Sequence, residues 1–244
     1  MHTIVLGASG ATGKHLVSEL LKRETKVTAI VRSPERLPES WRSSKNLTIV
    51  KASVLELTSN EVEDLVKDCD AVASCLGHNL TLKGIYGAPQ NLVTKAVQMF
   101  SKAILNGTSS SPKKFVLMNT AGNSNRDLNE PISFGQKLVI GVVRGLLPPH
   151  VDNENAADFL RTTIGQDHKK LEWSVVRPDN LKDDETVSQY EAHPSPTRSA
   201  IFNAGTTSRI NVGHFMANLI CDSNLWEGWK GKMPVLYNSE TQKA

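Results

Sequence analysis

The 244-residue chain predicts an α/β fold, a doubly wound parallel sheet with helices on both faces. Three observations carry that expectation. Short β-branched runs recur along the chain and are apolar throughout, as strands covered on both faces must be. Between them lie stretches with apolar residues at helical spacing. The first strand-like run leads directly into a glycine-rich loop and then a helix.

Thr3–Leu6 is the first strand, followed by Gly7-Ala-Ser-Gly10-Ala-Thr-Gly13. Lys14–Arg23 sets Leu16, Val17, Leu20 and Leu21 at helical spacing. Val27–Val31 and Leu47–Val50 are the next strands. Thr58-Ser-Asn-Glu61 has the capping-box pattern and opens a helix with Val62, Leu65, Val66 and Cys69 on one face. Ala71–Leu76 is the fourth strand, and Leu92, Val93, Ala96, Val97, Phe100 and Ile104 mark another helix. Phe115–Met118 and Trp173–Val176 complete six strands, expected in the order 3-2-1-4-5-6. Ser133–Val151 reads as an apolar helix brought to a sharp stop by Pro148-Pro149, and Glu154–Thr163 as a further helix. Lys182–Ser199 is polar, contains Pro194 and Pro196, and reads as a long loop beyond the sixth strand. Doubly wound sheets bind ligands at that end, so the loop is either a substrate cover or a surface excursion. No repeat or low-complexity tract divides the chain. One nucleotide-binding domain over residues 1–244 is expected, with a small substrate-side portion over about 182–244.

Composition narrows the partners. The 28 basic and 25 acidic residues are scattered, giving a net charge of +3 and no basic arm or aromatic-interleaved stripe for nucleic acid. Three cysteines without a Cys-x-x-Cys spacing fit a reducing compartment without structural zinc. Leu138–Val143, the longest apolar run, is broken at Arg144 and is far too short to span a bilayer. Met1 leads almost at once into the first strand, so no leader is expected and a cytoplasmic location is. The expected partner is a small-molecule substrate, on a monomer or dimer.

The glycine loop carries the first chemistry. Gly7 permits the tight turn, Gly10 lets backbone amides approach a phosphate, and Gly13 allows close helix–strand packing. This is the Rossmann type of cradle. A P-loop frame ending at Gly13-Lys14 fails, because Ala8 would stand for its first glycine and His15 for its hydroxyl residue. The second strand ends Ile30-Val31-Arg32-Ser33, where an acidic residue would select a ribose 2′-hydroxyl. Arg32 offers instead a planar cation to a 2′-phosphate, with Ser33 and Arg36 as further donors, so NADP(H) is the expected cofactor.

The Gly-x-x-Gly-x-x-Gly spacing and the Val31-Arg32 ending resemble the atypical short-chain dehydrogenase/reductases, and within them the NmrA-like and biliverdin/flavin-reductase-like group. Ser74-Cys-Leu-Gly77 resembles that group's loop over the cofactor. Trp173-Ser-Val-Val-Arg177-Pro178-Asp-Asn180-Leu181 resembles its W-T-I-V-R-P-G-x-L segment, and Ile210–Met216 its late strand-to-helix element. The similarity covers residues 1–221 and is weakest over 123–152 and 182–205. It implies NADP(H) across the top of the sheet, on Gly7, Ser9, Gly10, Ala11, Thr12, Gly13 and Arg32. Ser53, Val54, Cys75, Leu76 and Gly77 would continue the cradle. The nicotinamide would lie near Asn119, Thr120, Arg177, Pro178, Asn180 and Leu181.

The departures bear on function. The family's Tyr-x-x-x-Lys pair is missing, because Tyr86, Tyr190 and Tyr237 all lack a lysine four residues on. Counted from Thr120 the pair falls on Ser133 and Lys137; counted back from Trp173 it falls on Pro149 and Asn153. No serine follows the fifth strand, which runs into Asn119-Thr120-Ala121, and Ala52-Ser53 replaces the usual Gly-Asp. One reading is an NADPH-dependent reductase of a small conjugated acceptor such as a flavin, quinone or carbonyl, which can take its proton from solvent or a modest acid. A second is a non-catalytic NADP(H)-binding redox sensor that signals to a protein partner. A third is redox-neutral chemistry on a bound cofactor. Asn119, Thr120, His150, Asp152 and Asn153 are the polar candidates for the substrate end. Imidazole titrates near neutral pH, so His150 and His78 suit proton transfer, or equally a plain surface position. Asp152 either faces substrate or caps the Glu154–Thr163 helix.

Overall fold

Residues 1–78, 87 and 89–239 are described by the computed structural model; Tyr86 lies outside them. Six parallel strands lie in the order β3-β2-β1-β4-β5-β6: β1 (His2–Leu6), β2 (Lys26–Val31), β3 (Leu47–Lys51), β4 (Ala71–Ser74), β5 (Lys113–Met118) and β6 (Leu171–Pro178). This is the order that the alternating pattern predicts. Beyond β6, β7 (Asn180–Lys182) and β9 (Thr206–Ser208) form a separate two-stranded parallel ribbon. The main sheet then gains β10 (Val235–Asn238), parallel to β6, and β8 (Tyr190–His193), antiparallel to β10.

The strand β8 corrects the expectation of a plain loop over Lys182–Ser199. Tyr190 and Ala192 pack on the core while Glu191 is exposed. That alternation is only four residues long, and the surrounding prolines and polar residues hide it.

Side chains of successive strand residues point to opposite faces, and β1 shows the division. Val5 joins the core under α1 (Gly13–Lys22), where the short helix α2 (Glu39–Arg42) adds Trp41. Ile4 and Leu6 join the other core, under α3 (Ser59–Lys67) and α4 (Leu92–Asn106). The predicted capping box opens α3: Thr58 Oγ1 accepts from Glu61 N at 3.3 Å, and Glu61 Oε2 from Thr58 N at 2.8 Å. The stripe Val93, Ala96, Val97, Phe100 and Ile104 of α4 is buried as its spacing requires.

Ser133 caps α5 (Phe134–Leu146) by accepting from Gln136 N at 3.2 Å. Pro148-Pro149 does not merely stop that helix, as the sequence suggests, but begins α6 (Pro148–Asp158). Proline is at ease in a first turn, where its missing N–H has no partner to lose. The helix read as Glu154–Thr163 is therefore the latter part of α6, running into a π-helical turn over Phe159–Ile164. Helices α7 (Arg209–Cys221) and α8 (Ser223–Trp229) complete the α1 face. Gly213 lets α7 approach α1 closely, since a Cβ there would sit 2.7 Å from Leu16 N. Among the described residues no helix is long and apolar enough to cross a membrane.

Candidate active site

Gly7 and Gly13 are demanded by the turn itself. Gly7 has φ +73°, and a Cβ on it would lie 2.8 Å from the Cys75 carbonyl oxygen; one on Gly13 would lie 2.1 Å from Gly7 O. Gly10 differs. Its N–H donates to Gly7 O at 2.9 Å, and the one neighbour within 4 Å of an added Cβ is that same oxygen, at 3.1 Å. Otherwise Gly10 faces open space, in front of the positive end of α1. This is a cradle that a side chain would fill, and it fits the pyrophosphate of a dinucleotide. Thr12 and Ala11 complete the turn, with Thr12 O accepting from His15 and Leu16 as α1 begins.

A cavity of about 200 Å³ opens from this loop. Gly7, Ser9 and Gly10 form one side, and Val31 and exposed Arg32 another. Ser53 and Val54 follow β3, and Cys75, Leu76 and Gly77 follow β4. Pro89 and Leu92, unmarked by any motif, close it from the start of α4. Burial pushes the Cys75 thiol up to about 12, so it is an uncharged wall rather than a nucleophile.

A second cavity, of about 410 Å³, lies at the ends of the next strands. Thr120 and Gly122 come from the segment after β5, Asp179 follows β6, Asn180 begins β7, and His150 comes from α6. Ile140 and Val143 of α5, with Ala200, Ile201 and Ala204, form its apolar walls. A Cβ on Gly122 would sit 3.5 Å from His150 Cε1 and 3.7 Å from Thr120 Oγ1, so ring and hydroxyl converge there. His150 Nε2 stands 3.3 Å from Glu154 Oε1, near enough for an ion pair but out of line for a hydrogen bond. Arg144 clamps the same carboxylate through Nε at 2.8 Å and Nη2 at 2.9 Å. Burial works to raise the Glu154 pKa, but the imidazole and guanidinium outweigh it and hold it at about 2. Asp179 accepts from Asn180 N at 2.9 Å and Gly205 N at 2.8 Å; burial outweighs these bonds and raises its pKa.

Several expected site residues are placed elsewhere. Arg177 is fully buried, and its five N–H donors are all engaged. Nε donates to Met233 O, Nη1 to Asn123 O and Glu130 Oε2, and Nη2 to Glu130 Oε1 and Pro194 O. The guanidinium is thus a structural tie rather than a cofactor contact. Pro178 is buried in β6 opposite Leu236, and Leu181 packs on the α1-side core; neither lines either of these two cavities. Asn119 Nδ2 donates to the Asn153 carbonyl at 2.8 Å, while its Oδ1 accepts from Thr120 N and Asn123 Nδ2. Asn119 and Asn153 do meet, but as a brace between β5 and α6, and neither lines either of these two cavities.

Asp152 caps a helix, though not its own. Its carboxylate accepts from Val93 N at 2.8 Å and Thr94 N at 2.9 Å, across the chain at the start of α4. His78 Nε2 joins it at 2.8 Å, and the His78 side chain is buried rather than at the surface. Tyr190, within the stretch read as a loop, is bonded through its hydroxyl to His214 Nδ1 at 2.7 Å on the α1 face. Tyr237 packs behind the second cavity against Ala121 without lining it. Asp179 carries a sequence signal: it stands where the resembling segment has glycine. Ile140 and Val143 had none, because periodicity finds an apolar face without saying what it faces.

The fold has many solved relatives. A short-chain dehydrogenase/reductase (wide type) from Veillonella parvula in complex with NADP superposes with a TM-score of 0.68 at 16% identity, over 98% of this chain and 95% of that one. A Streptococcus pneumoniae protein assigned as an NADH-flavin reductase gives 0.64 at 22% identity, over 98% and 99%. A Bacillus halodurans protein assigned as an NAD-dependent epimerase/dehydratase gives 0.69 at 21% identity, over 99% and 95%. In sequence, 73 residues are 38% identical to an uncharacterised chloroplast protein of Arabidopsis thaliana. That match takes in 30% of this chain and only about a quarter (26%) of the relative's length. The profile of the NAD(P)H-binding family matches residues 7–223, which takes in the glycine loop, both cavities and helix α7. The chain therefore belongs to the NAD(P)H-binding family.

Proposed function

We propose that the protein is an NADPH-dependent reductase of a small conjugated acceptor, a flavin, quinone or carbonyl compound. The observation that carries this reading is the cavity of about 410 Å³ at the ends of β5 and β6, lined by the His150 imidazole. NADPH, when bound, would supply hydride-transfer chemistry. Gly10 and the N-terminus of α1 hold the pyrophosphate, and Arg32 holds the 2′-phosphate that distinguishes NADPH from NADH. Thr120 and Asn180 orient the polar edge of the acceptor. His150, its ring placed beside Glu154, hands on the proton. Ile140, Val143 and Ile201 keep water from the reacting face.

The test has two arms. NADPH should bind at least about tenfold more tightly than NADH by titration calorimetry, and Arg32→Ala should cost about ten- to hundredfold for NADPH alone, the loss of one charge-assisted hydrogen bond. NADPH absorbance followed against a panel of quinones, flavins and carbonyls should show turnover. Equal affinity for the two cofactors overturns the role of Arg32.

One observation favours a second reading, an NADP(H) sensor without turnover: neither Tyr190 nor Tyr237, the tyrosines among the described residues, lines the cavity. Tight NADPH binding with no oxidation across the panel would select it.

A further inference from the structure

Helix α5 is apolar on two sides. Ile140 and Val143 line the 410 Å³ cavity, while Phe134, Leu138, Val142 and Leu146, each four residues from the next, stand exposed. A surface helix ordinarily turns polar residues outward, yet Phe134 is 84% exposed. The apolar surface continues onto the segment that forms the facing wall. Phe202, 63% exposed, lies against α5 at Gly135, where a Cβ would be 3.5 Å from the ring. Ile201 both lines the cavity and is 40% exposed, so the inner wall becomes the outer surface at that residue. Contiguous apolar patches of this kind mark binding surfaces.

Inside the cavity the polarity is graded. Thr120, His150, Asp179 and Asn180 come from the strand ends and α6, whereas α5 and residues 200–204 contribute apolar groups. A molecule matching both cavity and patch has a polar, conjugated head and a long apolar body. We propose that the acceptor is a quinone bearing an aliphatic or isoprenoid tail, its head in the cavity and its tail passing Ile201 onto the outer face of α5 beside Phe202. The placement of the head rests on the reductase reading; the tail site rests on the surface alone. The reduction balances as one hydride from the dinucleotide and one proton, from His150 or water, giving the hydroquinone.

Calorimetry on the NADP⁺-loaded protein, with a decyl-substituted benzoquinone and its tail-less counterpart, tests the tail apart from turnover. Burying part of the alkyl chain should make the tailed compound bind about thirtyfold more tightly or better. The double substitution Leu138→Gln, Phe202→Ser, both on exposed side chains, should cut that advantage to about threefold. Equal binding by the native protein, binding of neither compound, or a tail advantage untouched by the substitutions overturns the proposal. NADPH oxidation with the tail-less quinone reports on the reductase reading separately: turnover without a tail preference refutes the tail site alone. Light scattering supplies the remaining arm, because a dimer that these two substitutions dissociate would show a second copy covering the face and would also overturn the proposal.

Discussion

Gly7, Gly10 and Gly13 are indistinguishable by composition, but each answers to a different neighbour. A side chain on Gly7 or Gly13 would run into backbone at 2.8 Å or 2.1 Å, so those positions hold the turn together. Gly10 meets one carbonyl oxygen and otherwise open cradle. Gly10→Val should therefore leave the circular dichroism spectrum and melting transition close to native while abolishing binding of both dinucleotides. Normal NADPH binding by a folded Gly10→Val protein would show that the phosphates lie elsewhere. The loop was legible in the sequence because its spacing follows from backbone geometry. Arg177 was not, because a motif gives a residue's place in the chain and not the direction of its side chain. Glu130, its buried partner, lies 47 residues away in the stretch of weakest resemblance.

Elements are tied here by carboxylates acting across the chain. Asp152 of α6 satisfies two amides at the start of α4, in place of a local cap. Asp152→Ala would leave those donors and His78 without their carboxylate and should cost about 1–3 kcal/mol in urea unfolding. An unchanged midpoint would mean that water replaces the cap at no cost. Glu154 of α6 ties back to Arg144 of α5, and its folded pKa of about 2 lies below the ordinary 4.5. The stability from this lowered carboxyl is present above about pH 4.5 and is lost as pH falls from there through about 2. Denaturation midpoints of Glu154→Gln should accordingly lose part of the acid dependence across that window; identical pH profiles would count against the clamp. The helix stripes and the capping box were readable because they are local and periodic. The Asp152 cap, the four-residue β8 and the proline-led start of α6 depend on contacts distant in sequence, and local pattern is silent about those.

The two cavities open at the ends of neighbouring strands, and Tyr190 packs on the α1 face and lines neither of them. On the proposed reductase reading, that division puts proton delivery on the side of the second cavity. Tyr190→Phe should keep turnover within about tenfold, whereas His150→Ala should lower kcat by about 10²–10⁴-fold if the imidazole delivers the proton. A hundredfold loss on Tyr190→Phe with unchanged NADPH affinity would return the phenol to the mechanism.

Arg177 has a consequence for how such a molecule can change over time. One guanidinium, rooted in β6, holds Asn123 and Glu130 of the segment after β5, Pro194 of the segment after β8, and Met233 at the entry to β10. Three of its five bonds run to the main chain and the other two to the single carboxylate of Glu130, so they ask little of the other side chains there. The segments can accept substitutions while their anchorage to the sheet persists. Substitutions in these segments can reshape the second cavity while the glycine loop at the far strands is left as it is.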